Sequence, residues 1–150
     1  MAQNRQMTTN SRSLGDLAVD GLLHGLAAGA IMLAFLVGVG VVEGVAPAAV
    51  LARFGLPGSA SVVTGLLGHL AVSAVLGLVW GVLYGSLLRR TPLPAWLLGA
   101  AYGLALYVGA ALFVVGATGL ADFAAWELLA AHLAYGVTLG LLSGRSRQDE

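Results

Sequence analysis

The sequence predicts an all-α integral membrane protein with four transmembrane helices, and three observations predict it. The chain has 150 residues, of which 59% are hydrophobic and only 9% charged, where a soluble domain carries about 25% charged residues. Four apolar segments are each as long as the ~20 residues a helix needs to cross a bilayer. None shows the alternating polarity of a spanning strand. Helices are also the open-chain structure that satisfies every backbone group inside lipid.

The elements follow in order. Residues 1–16 are polar and are expected to be disordered. They lack the apolar core and small-residue cleavage site of a signal peptide, so the first apolar segment reads as retained. The transmembrane domain is placed at residues 17–143 and a polar tail at 144–150. The first span covers 17–42. The connection from Glu43 to Ser59 contains Pro47–Phe54 (PAAVLARF), which reads as a short helix lying in the interface and ended by Gly55 and Pro57. The second span covers 60–88 and stops at Arg89-Arg90. Thr91-Pro92-Leu93-Pro94 breaks the chain, and Pro94 suits the first turn of a new helix. The third span covers 95–117, with Trp96 at interfacial depth. Thr118–Asp122 reads as a tight turn in which Asp122 is the N-cap of the fourth span, 123–143, and Trp126 is a belt residue.

All seven basic residues are arginine and the formal net charge is zero, so no basic surface points to nucleic acid. Cysteine is absent, which excludes disulfides, thiolate metal sites and cysteine nucleophiles. Arg5, Arg12, Arg89, Arg90, Arg145 and Arg147 fall on one side of a four-span topology. Arg53 stands opposite them, with Glu43, Asp122 and Glu127. The positive-inside rule then places both termini in the cytoplasm.

The second and fourth spans resemble each other. His69-Leu70-Ala71 answers His132-Leu133-Ala134, and Leu76-Gly77 answers Leu139-Gly140. A weaker match relates His24-Gly25-Leu26-Ala27 in the first span to Tyr102-Gly103-Leu104-Ala105 in the third. The pattern reads as a duplicated helical hairpin in parallel orientation, not the inverted repeat of many transporters. Through Gly68-His69-Leu70 and its following glycines, and through His132-Leu133-Ala134-Tyr135-Gly136-Val137-Thr138-Leu139-Gly140, the chain resembles the uncharacterised four-helix inner-membrane proteins of bacteria grouped as domains of unknown function. That resemblance spans most of residues 17–143. It implies a fold and a location, the cell inner membrane, and brings no activity with it.

Each span carries glycines four apart: Gly21, Gly25 and Gly29; Gly77, Gly81 and Gly85; Gly99 and Gly103; Gly136, Gly140 and Gly144. Small residues at that spacing let helix backbones approach closely. Packing within the bundle is the expected role of Gly25, Gly29, Gly77, Gly81, Gly103, Gly136 and Gly140, and dimerisation through one stripe is the alternative. All four stripes lie toward the termini. The opposite half carries Phe35, Val37, Val39, Val41, Phe113, Val114 and Val115, so any cavity belongs there.

The polar residues inside spans are few. His69 and His132 each begin a four-residue series, and they are the candidate ligand or cofactor residues. In an up-down bundle they sit on diagonal helices, where two histidines can ligate one haem iron. Covalent attachment of haem is excluded by the missing CxxCH. The plainer reading is that each histidine hydrogen-bonds a neighbouring helix. Asp20 and His24 share one face of the first span. With Glu43 and Glu127 they are the other candidate proton or polar residues, Glu127 chiefly by favouring the N-terminal end of its helix. No HExxH, GxSxG or P-loop appears, and no metal site is expected. The function expected is that of a small non-enzymatic membrane protein with a structural or accessory role and no cofactor. Its partners are the lipid bilayer and either a second copy or another membrane protein. The alternatives are a haem b electron carrier using His69 and His132, or a small permease with an outward-facing polar pocket.

Overall fold

The computed structural model describes residues 13–55, 61–113 and 119–145, and within them every regular element is helical. Helix α1 (Leu14–Val42) is followed by the short α2 (Pro47–Ala52), then α3 (Val62–Ser86), α4 (Ala95–Phe113) and α5 (Ala125–Arg145). Of these, α1, α3, α4 and α5 are long and apolar enough to cross a membrane.

Local chemistry sets the helix ends. The Ser13 side chain accepts the Asp16 amide at 3.1 Å, and the Asp16 carboxylate accepts the Ser13 amide at 2.9 Å. This capping box starts α1 three residues ahead of the apolar run, inside the segment expected to be disordered. At the other end Gly44 adopts a left-handed φ of 81°. The Val45 amide then reaches back to Gly40 O at 2.7 Å and the Gly44 amide to Val41 O at 3.1 Å, which is a Schellman stop. Pro94 stands just outside α4, and its carbonyl accepts the Leu97 and Leu98 amides. Asp122 does not cap α5. It closes a 3-10 turn over Gly119–Asp122, and the Glu127 carboxylate takes the Ala124 amide at 2.6 Å instead. Phe123 is therefore outside the helix, and it is buried. Residues 114–118, the end of the expected third span, lie outside the described residues, as do Pro57 and Ser59.

Two hairpins build the bundle. Helix α1 packs along α3, α4 packs along α5, and the pairs meet through α1 and α5. The order around the rim is α3, α1, α5, α4. The remaining edge, between α3 and α4, is the least packed. Met32, Leu36, Trp80, Ala131, Tyr135 and Leu139 are buried between the helices, while Leu23, Ile31, Val75, Val79, Leu104 and Val108 face outward.

Backbone contact defines both hairpin seams. A Cβ on Gly25 would lie 2.7 Å from Gly77 Cα, and one on Gly81 would lie 2.7 Å from Gly21 Cα. In the second hairpin a Cβ on Gly136 would lie 2.9 Å from Gly103 Cα, and one on Gly140 2.8 Å from Trp96 Cα. The two seams differ in register by one helical turn. Gly25 faces Ser73 and Gly77, whereas Gly103 faces His132 and Gly136. His132 thus occupies the seam position that Ser73 holds in the first hairpin, not the one its sequence match with His69 implies.

Candidate functional site

Where α3 and α4 separate, a cavity of about 550 Å³ opens between the hairpins. Val72 and Leu76 of α3 form one wall, and Leu106 and Ala110 of α4 the other. Met32 of α1 and Tyr135 of α5 lie at its back, and Phe54 and Leu120 at the end remote from the termini. The lining spans Gly68 to Leu76 on α3, about 12 Å of helix. At its inner limit the Tyr102 hydroxyl donates to Leu76 O at 2.9 Å, and the Tyr102 and Trp80 rings sit 5.2 Å apart, which holds α4 to α3.

Both candidate histidines line this cavity. His69 is buried, and its Nε2 lies 3.0 Å from Gly29 O on α1. A carbonyl only accepts, so Nε2 carries the hydrogen and Nδ1 is the lone-pair nitrogen of the neutral ring. His132 turns the other way, with Nδ1 2.7 Å from Leu128 O of its own helix, which leaves Nε2 as its lone-pair nitrogen. The Phe54 ring meets His69 edge-on at 4.7 Å, and Tyr107 meets His132 at 6.0 Å. Beyond Phe54 lie Phe123 at 5.6 Å and the Arg53 guanidinium 4.7 Å from the Phe123 ring. A cation and two aromatic rings in tilted and edge-on contact therefore lead from the bundle's end down to His69. For this the short α2 is packed inward: Val50 is fully buried, and Leu51 O lies against Gly65.

The other polar candidates are elsewhere. Asp20 and His24 border a separate space of about 40 Å³ with Tyr84 and Ser143, near the termini. Glu43 is exposed at the end of α1. Glu127 is buried, capping α5 outside the cavity. Among the described residues no three His, Asp or Glu side chains gather as a metal would require. In the haem alternative His69 would have to bind through Nδ1, since its Nε2 is bound to Gly29 O. The cavity is also mostly apolar, unlike the polar pocket of the permease alternative.

Three site residues have no counterpart among the sequence candidates. The Tyr135 hydroxyl donates to Ser73 O at 2.6 Å, Tyr102 bonds Leu76 O, and Trp80 Nε1 donates to Ser143 Oγ at 3.0 Å. With His69, these bonds tie α3 to every other long helix. Two of the three end on backbone carbonyls, which every residue type supplies. The one available signal was an aromatic hydroxyl on a buried stripe, since Tyr135 stands three residues after His132.

Fold and cavity together define the class: a four-helix bundle built to cross a membrane, with a cleft between two tightly zipped hairpins. The chain belongs to DUF6789, a family of unknown function, whose model matches residues 16–150. No curated protein and no solved structure matches it.

Proposed function

We propose that this protein performs no reaction of its own. It sits in the inner membrane with both termini in the cytoplasm, as an accessory protein that takes an apolar molecule from the bilayer into the cleft between its hairpins. The observation that carries this reading is the cavity of about 550 Å³ at the α3–α4 edge, a volume typical of small-molecule sites. Its position matters as much as its size. In a bundle that spans a membrane, a gap between two rim helices faces lipid, so a guest enters sideways from the bilayer. The glycine seams support the same reading, because rigid hairpins keep the cleft from collapsing.

Photolabelling tests it. A 16-carbon methyl ether with a mid-chain diazirine, added to proteoliposomes, should label peptides around Gly68–Leu76 and Ala105–Phe113. Ala110→Trp, which fills the cavity, should remove most of that labelling. Labelling spread evenly over the lipid-facing surface, and indifferent to Ala110→Trp, would end the proposal.

A further inference from the structure

The cavity carries a chemical preference as well as a shape. Its polar lining consists of His69, Ser73, His132 and Tyr135. The N–H of His69 is bound to Gly29 O, the N–H of His132 to Leu128 O, and the O–H of Tyr135 to Ser73 O. The Ser73 hydroxyl lies in the α1–α3 seam, where a Cβ on Gly29 would come within 2.5 Å of Ser73 Oγ. What these side chains keep for a guest is two imidazole lone pairs, Nδ1 of His69 and Nε2 of His132, and beside them the Ser73 hydroxyl, which can donate or accept. Among the described residues, no fully buried side-chain nitrogen or oxygen lacks a partner. A ring nitrogen without a protein partner must therefore touch open space, which for these residues is the cavity.

From this we infer that the cavity selects an apolar molecule carrying a hydroxyl group, such as a long-chain alcohol, a diacylglycerol or a quinol, over ethers, esters and quinones of the same size. The inference rests on the lateral-cleft reading and adds the identity of the head group. A guest hydroxyl donates to an imidazole lone pair and can accept from Ser73 at the same time, in an apolar surrounding where little else competes. A carbonyl or ether oxygen can only accept from Ser73 and leaves both imidazole lone pairs without a donor, so it makes one hydrogen bond fewer than a hydroxyl does. The acyl regions of ordinary phospholipids offer no such donor, so a hydroxylated guest is distinguishable from the bulk lipid that surrounds the cleft.

The test compares two probes in the same proteoliposomes: the diazirine methyl ether used above and the alcohol of the same chain length. The alcohol should label the cavity peptides about five-fold more than the ether, the weight of one hydrogen bond. His132→Leu and His69→Leu should each lower the ratio of alcohol to ether labelling, the double variant should bring that ratio to about one, and SDS unfolding of each variant checks that it still folds. Equal labelling by the two probes, both blocked by Ala110→Trp, would overturn the hydroxyl preference and leave the lateral cleft standing. Labelling by either probe that ignores Ala110→Trp would overturn both.

Discussion

At the scale of single residues, glycine differs in value along one helix according to what it faces. A Cβ on Gly77 would lie 2.7 Å from Gly25 N and would overlap Gly21 O. Both are backbone atoms, which cannot swing aside. Gly38, on α1, has nothing within 4 Å of its would-be Cβ. Gly77→Ala should therefore destabilise the protein by about 1–3 kcal/mol, the overpacking range. Gly38→Ala should be neutral or stabilising by up to about 1 kcal/mol, because it gains helix propensity with no clash. Unfolding of each variant in detergent with rising SDS measures both, and equal costs would mean that the seams are looser than the backbone contacts require.

At the scale of elements, helix ends separate what the sequence makes legible from what it does not. Hydropathy locates the four spans because lipid demands long apolar runs. It misplaces their starts because capping is polar and local. Ser13 and Asp16 begin α1 within residues that read as disordered, and Phe123 reads as helix because an apolar residue fits equally well against another aromatic ring outside one. Glu127 shows how a buried acid is explained by its element. Its carboxylate accepts the Ala124 amide at the start of α5, as in half of a capping box. Glu127→Gln keeps an acceptor there and should leave stability nearly unchanged. Glu127→Ala removes it and should cost about 1 kcal/mol, read from the same unfolding titration. A large effect of the Gln variant would instead point to a role for the negative charge.

At the scale of the whole molecule, the hairpins and the end that holds the cavity are legible in the glycine spacing, since small residues mark where backbones meet and bulky ones where they stand apart. That His69 and His132 share one space is legible from their place on the second and fourth spans. Which rim edge would open is not, because α3 and α4 carry no residue forbidding contact; the edge opens because their glycines are committed to α1 and α5. The proposed orientation in the membrane rests on arginine alone and is tested by impermeant thiol labelling of whole cells. A cysteine at Asp122 should react from outside and one at Thr91 should not. Reaction at Thr91 would invert the assigned topology.

The two glycine seams also have a consequence for biogenesis. Each joins two consecutive long helices, so it can close before the rest of the chain is made. The first hairpin has all of its partners once residue 90 has entered the membrane, before α4 and α5 exist. The second can zip in the same way, independently. The α1–α5 contact, the bonds from Tyr135 and Ser143 to α3, and the packing of Phe54 and Arg53 on Phe123 join parts of the chain made far apart in time. The cleft is thus the last part of the molecule to be enclosed, and the lipid between the hairpins at that moment is the first occupant it can meet.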